Sequence, residues 1–250
     1  MVHARFHVPD AERTGDVVAL PHEEAQHLIR VLRLKVGAAV RVFNGRGAEF
    51  DALVSAVSKD SAQVRIGAGR DAVREARVAV TLAQAVLKGD KMDEVVRDAV
   101  MMGVAAIQPV VATRSEITLA SLERSHRRER WHRVAVSSVK QCGRAVVPAM
   151  LEPRAFGVVA ASLAEMTLPG PGLMFVEPSS PADAIALGDL DATPPRETTV
   201  LVGPEGGWTP EEIERGATAC RLVTLGSRTL RADAMAIVAL TALFALWREL

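Results

Sequence analysis

The chain has 250 residues, 49% of them hydrophobic, and its 30 Lys+Arg are balanced by 30 Asp+Glu. That is enough apolar material for one large domain or two smaller ones, and no apolar run reaches the length that spans a membrane. The opening residues 1–6 lack the apolar stretch of a secretory signal, so a cytoplasmic protein is expected. Cys142 and Cys220 fit reduced thiols better than a disulfide framework. His22, His27, His126 and His132 lack metal-ligand company and read as surface residues, so no metal is expected.

Taken in chain order, residues 21–34 read as a helix with Ala25, Leu28, Ile29 and Leu32 on one face. Residues 38–43 read as a strand, followed by the turn Asn44-Gly45-Arg46-Gly47; Asn-Gly between strand-like runs is a strong hairpin signal. Residues 48–57 and 62–66 continue the β-rich unit, and Gly67-Ala68-Gly69-Arg70 reads as a linker. From Arg77 onward short apolar runs at 78–86, 105–111, 173–176, 198–202 and 222–225 alternate with helix-like segments. That alternation predicts a parallel sheet covered by helices. Asp90 is placed to cap a helix ending at Gly103, with Met92, Val95, Val96, Ala99 and Val100 as its apolar stripe. Residues 148–195 hold many prolines and little periodicity outside one strand. Residues 233–246 form a closing helix too apolar for a simple surface position, so it packs deeply or at a subunit interface.

Charge is uneven along the chain. Residues 114–154 carry nine Lys/Arg against four Asp/Glu, which fits either a solvated helix face or contact with phosphates. Two glycine-bearing turns stand out. In the first, a strand runs into Gly203-Pro204-Glu205-Gly206-Gly207-Trp208, and Thr209, Pro210 and Glu212 spell the start of a helix with a capping box. Backbone groups are therefore exposed at the end of a parallel strand, where α/β proteins bind ligands. No Gly-Lys-Ser/Thr follows and the spacing is not GxGxxG, which speaks against a phosphate loop or dinucleotide fingerprint. In the second, Leu225-Gly226-Ser227-Arg228-Thr229-Leu230-Arg231 leads into the closing helix. Taken alone, Asp233 there serves the helix dipole and Arg231 a salt bridge as readily as chemistry.

Together these motifs resemble the bacterial 16S rRNA uridine-N3 methyltransferase family of the knotted SPOUT superfamily. The resemblance is carried by Gly203–Gly207 and by Leu225-Gly226-x-Arg228-x-Leu230-Arg231. Further landmarks are Arg5-Phe6, residues 28–33, residues 88–93 and Gln141-Cys142-Gly143-Arg144. It implies an α/β chain with a PUA-like RNA-binding β-barrel at 1–72 and a SPOUT domain with a C-terminal trefoil knot at 73–250. General topology rules disfavour knots, and this family is an exception to them. It implies S-adenosylmethionine as methyl donor, held by Val176, Glu177, Leu201, Gly203, Glu205, Gly206, Gly207, Leu225, Gly226 and Leu230. It implies 16S rRNA as substrate within the small subunit, gripped by Arg5, Arg30, Arg33 and Arg144, and a homodimer. Arg231 becomes the candidate partner of a developing uridinate, with Asp233 as base or as positioner of Arg231. The family commonly reads Leu-Arg-Thr-Glu-Thr-Ala where this chain has Leu230-Arg231-Ala232-Asp233-Ala234-Met235, so both threonine hydroxyls are missing and the acid is shorter. Two other classes compete: a non-catalytic RNA-binding protein, disfavoured by the two intact turns, and a nucleotide-dependent oxidoreductase, disfavoured by the missing fingerprint.

Overall fold

The computed structural model describes residues 4–180 and 183–250; residues 1–3 of the opening segment lie outside it. The chain folds as two compact units. One joins Met1–Glu75 to Val136–Val147, and the other joins Ala76–Ala135 to Pro148–Leu250. The first unit therefore takes in a segment from far beyond residue 72.

In the first unit the strands are β1 (Arg5–His7), β2 (Val17–Ala19), β3 (Ala39–Phe43), β4 (Glu49–Val57) and β5 (Ala62–Arg70). They form one sheet in the order β1-β3-β4-β5-β2. Only β1 and β3 run parallel; the other pairs are antiparallel. Alternation puts Val40, Val42, Ala52, Val54, Val64 and Ile66 on one face, where Phe6 and Leu28 complete the core. Two expectations change here. Residues 67–70 are strand, not linker: Gly69 and Arg70 pair with Phe50 and Glu49 across a bulge between Phe50 and Ala52. Gly67 sits beside that irregularity, and a Cβ there would lie 2.8 Å from the Asp51 carbonyl oxygen, so the glycine allows close approach of backbones. The expected 21–34 helix is α1 (His22–Gln26) followed by a π-helical turn (His27–Val31). The wider turn breaks the 3.6-residue phase, so Leu28 stays buried while Leu32 is 38% exposed.

In the second unit the elements run β6 (Ala79–Ala85), α2 (Lys91–Met102), β7 (Ala106–Val111), α3 (Leu119–Glu123), α4 (Arg127–Cys142), β8 (Ala149–Met150), β9 (Arg154–Ala155) and α5 (Phe156–Ala164). They continue with β10 (Gly172–Phe175), β11 (Ile185–Ala186), β12 (Glu197–Val202), α6 (Pro210–Ala217), β13 (Cys220–Thr224) and α7 (Ala232–Leu246). The end of α4 belongs to the first unit. All strand pairs here are parallel, in the order β11-β13-β10-β12-β6-β7-β8, with β9 also on β7. Ala83, Val110, Met174 and Leu201 pack with Phe156, Val159, Ala160 and Ile213 of α5 and α6, each large side chain contributing about 1.5–3 kcal/mol by leaving water. Helix α2 packs on α7, which also lies against β12. Gly103 ends α2 with φ 101°, as its position predicted. Asp90 precedes α2 but makes no side-chain cap; it accepts from Arg130 Nη2 at 2.7 Å instead. Helix α5 lies in the 148–195 stretch that periodicity left blank, because its residues Phe156 to Ala164 are apolar on nearly every face.

Candidate functional site

Strand β10 lies between β12 and β13, and all three run parallel. Their C-terminal ends therefore meet on one sheet edge, where open α/β sheets bind ligands. The loops leaving them enclose a cleft of about 360 Å³. Phe175 to Pro178 line it from β10, Val202 to Glu205 with Gly207 and Trp208 from β12, and Leu225 with 228–230 from β13. Arg231 to Asp233 and Met235 close it from the first turn of α7.

The β12 turn is held from several sides. Thr209 caps α6 through a capping box: its hydroxyl accepts from Glu212 N at 3.2 Å, and Glu212 Oε2 accepts from Thr209 N at 3.0 Å. The same buried carboxylate accepts from Thr113 N at 2.8 Å and Thr113 Oγ1 at 3.0 Å, which fixes the loop after β7. That loop delivers Arg114, whose Nη1 donates to the carbonyls of Gly206 at 2.6 Å and Trp208 at 3.2 Å. The Trp208 indole donates to the Phe175 carbonyl at 3.0 Å and packs on Phe156. A Cβ on Gly203 would meet that indole at 3.2 Å. Gly207 has φ +66°, and a Cβ there would stand 3.0 Å from Glu177 Oε1, so two independent demands keep this position glycine. Burial alone would raise the Glu205 carboxyl. Hydrogen bonds from its own backbone N–H, from Lys88 N–H and from Lys91 Nζ outweigh that and hold it below the usual range.

Of the expected cofactor residues, Val176, Glu177, Gly203, Glu205, Gly207, Leu225 and Leu230 line the cleft. Three do not. Leu201 is fully buried in the core beneath the sheet edge, because it lies within β12 rather than after it. Gly206 supports the wall through its carbonyl to Arg114. Gly226 takes φ +69° with open space around it and shapes the turn. Sequence reading missed Arg114, Lys91 and Trp208; the Trp208 position directly after the glycines was the available signal. Arg231 lines the cleft with its side chain 75% exposed, and its Nε donates to Asp233 Oδ1 at 3.2 Å.

The four expected RNA contacts divide. Arg30 and Arg33 are exposed, Arg30 in a loose pair with Asp60 and Arg33 at φ 52°. Arg5 and Arg144 are corrected to structural roles. Arg5 pairs with Glu49 and donates to the carbonyls of Val139 and Lys140 in the last turn of α4, and to those of Gly143 and Arg144. It thereby satisfies carbonyls that a helix end leaves open. Arg144, 6% exposed, pairs with Glu75 at 2.5 Å. Nearby, Lys140 pairs with buried Glu24 at 2.8 Å. In the basic 114–154 stretch, Arg128 pairs with Glu152 and Arg130 with Asp90 and Asp93, while Trp131 is buried.

Among the described residues no group of three or more His, Cys, Asp or Glu is placed to hold a metal, and no helix is long and apolar enough to cross a membrane.

The family model described as an RNA methyltransferase domain matches residues 74–244. The chain belongs to this RNA methyltransferase family. The model described as an RNA methyltransferase PUA domain matches residues 20–67. Ribosomal RNA small subunit methyltransferase E of Bacillus subtilis is 28% identical over 225 residues, which is 88% of this chain and 87% of the relative. Among solved structures, the Neisseria gonorrhoeae enzyme of that name, bound to S-adenosylmethionine, superposes with TM-score 0.84 and 31% identity over 98% of each chain. A Legionella pneumophila protein in complex with the same cofactor gives TM-score 0.88 and 28% identity over 98% of each chain.

Proposed function

We propose that this RNA methyltransferase transfers a methyl group from S-adenosylmethionine to N3 of one uridine in 16S rRNA of the small subunit. The observation that carries the reading is the single cleft built from three adjacent strand ends, with Gly207 at positive φ against Glu177. Its residues suit such a cofactor. Leu225, Leu230 and Trp208 offer apolar walls, backbone groups of the two glycine turns offer hydrogen bonds, and Glu177 and Asp233 offer carboxylates to a cationic ligand. The arrangement β10 beside both β12 and β13 is compatible with a trefoil knot through these turns.

The bound cofactor supplies an electrophilic methyl on a sulfonium that already contains the leaving group. What remains for the chain is positioning and charge management. Uracil N3 carries a proton that must leave before N3 attacks. The Arg231 guanidinium, always protonated, is a poor base and a good partner for the resulting uridinate. Asp233, bonded to Arg231 Nε, either takes the proton or orients the guanidinium. The target uridine has to be unstacked, since N3 lies on its pairing edge. Arg30 and Arg33 grip surrounding phosphates from the first unit. A homodimer forms through the exposed side of α7, where Val238 is 38% exposed, and the enzyme works in the cytoplasm.

Nucleoside mass spectrometry of rRNA from a strain lacking the gene tests the product. The expected result is loss of one 3-methyluridine from 16S rRNA and its return on complementation. Methyl on carbon or on ribose oxygen instead would overturn the assignment.

A further inference from the structure

In the first unit, the face of the sheet turned away from the core holds a second groove, lined by Arg41, Asp51, Leu53, Arg65 and Arg70 among others. Cross-strand register explains the grouping. Arg41 on β3 lies opposite Asp51, and Leu53 lies between Ala39 and Arg65, so side chains two apart along each strand point to this one side. Arg70 holds Asp51 in an ion pair at 3.1 Å, which spends the acid. Among the described residues the Arg65 guanidinium donates to the Gly15 carbonyl, at 3.3 Å. Arg41 encloses its Nε without a hydrogen-bond partner among the described residues, and Asp51, directly opposite, is paired with Arg70. Because that Nε is enclosed, a ligand oxygen in the groove would meet Arg41 through the outer guanidinium nitrogens. Leu53, 51% exposed, gives the groove an apolar floor between the arginines.

We propose that this groove is a phosphate-binding site for the RNA backbone, with Arg41 and Arg65 each neutralising a phosphodiester and Leu53 lying under the intervening ribose. It is separate in sequence from Arg30 and Arg33, and it rests on the reading that RNA is the substrate. Two cationic side chains with one acid already satisfied select an anion. An extended strand face with an apolar centre suits a chain of alternating phosphate and sugar.

The test is RNA binding by fluorescence anisotropy across a salt series. Full-length wild type, Arg41→Gln/Arg65→Gln and Arg41→Lys/Arg65→Lys are compared on a labelled 16S rRNA fragment, with calorimetry of S-adenosylmethionine alongside. Each single-stranded phosphate contact adds about 0.7 to the slope of log K against log salt. The Gln pair should therefore lower the slope by about 1.4 and weaken binding by about 25-fold at 0.1 M salt, with unchanged cofactor affinity. The Lys pair keeps the charge and should recover most of the slope. A Gln pair with wild-type slope, or a Lys pair that fails as badly as the Gln pair while folded, overturns the groove. Absence of RNA binding by the wild type would instead overturn the RNA reading on which it rests.

Discussion

Replacing Gly207 by Val tests the cleft most directly, because two separate costs are visible at that atom. The backbone sits at φ +66°, a conformation that costs an L-residue about 1–2 kcal/mol and a β-branched one more. The added Cβ would also stand 3.0 Å from Glu177 Oε1, with Arg114 Nη1 at 4.0 Å. Glu177 is exposed and swings aside, but doing so moves a carboxylate that lines the cleft. The free variant relieves the strain by letting the turn shift. A ligand that needs the native turn must then restore it, so about 1–2 kcal/mol reappears as lost affinity, a factor of roughly 5–30. The filled volume adds to this. Gly15→Ala is the control: it also requires positive φ, at +97°, but its Cβ meets open space and Gly15 belongs to neither glycine turn of the cleft. Both variants should melt earlier, and only Gly207→Val should lose S-adenosylmethionine affinity strongly by calorimetry. Equal affinity in folded Gly207→Val and wild type would refute the pocket.

Arg231→Ala should cut single-turnover methylation of small subunits on the order of a hundredfold, the usual effect of losing one preorganised donor, while cofactor binding holds; full activity would remove Arg231 from the chemistry. Asp233→Asn should fail equally if the carboxylate takes the proton and should keep most activity if it only orients Arg231. Arg144→Ala leaves Glu75 without its buried partner and should cost about 3 kcal/mol in urea unfolding, with the salt slope of RNA binding unmoved; a changed slope would return Arg144 to the RNA surface. The Glu205 carboxyl titrates below its ordinary value of 4.5 in the folded protein, so its contribution is in place above pH 4.5 and fades as pH falls through the folded value. Glu205→Gln should flatten that part of an acid-unfolding curve, and an unchanged curve would refute the assignment.

The second unit's parallel sheet was legible because its longer strands are short apolar runs, and β10, β12 and β13 are followed within three residues by Pro178, Gly203 and Gly226. The Thr209–Glu212 cap was legible for the same reason that it works, its residue types at fixed spacing. Other features depended on tertiary partners. Arg5 and Arg144 look like any surface arginines until Glu49, Glu75 and the end of α4 close around them. Arg114 reaches the cleft only because Glu212 ties the loop after β7 to the start of α6. The π-helical turn at His27–Val31 left no compositional mark, so the phase of that helix was misjudged at Leu32. That the Leu201 side chain points into the core while Val202 reaches the cleft became visible only with the strand's end in place.

The return of Val136–Val147 to the first unit bears on how freely that unit could be exchanged as a cassette. A fragment cut at residue 72 or 75 would carry Arg5, Glu24 and Glu49 but leave behind Lys140, Arg144 and the helix-end carbonyls that Arg5 satisfies. The Glu24 carboxylate would be stranded without Lys140, Arg5 would keep Glu49 but lose its carbonyl partners, and the excised piece should be unstable in isolation. Grafting this unit onto another enzyme therefore means moving two stretches of chain together.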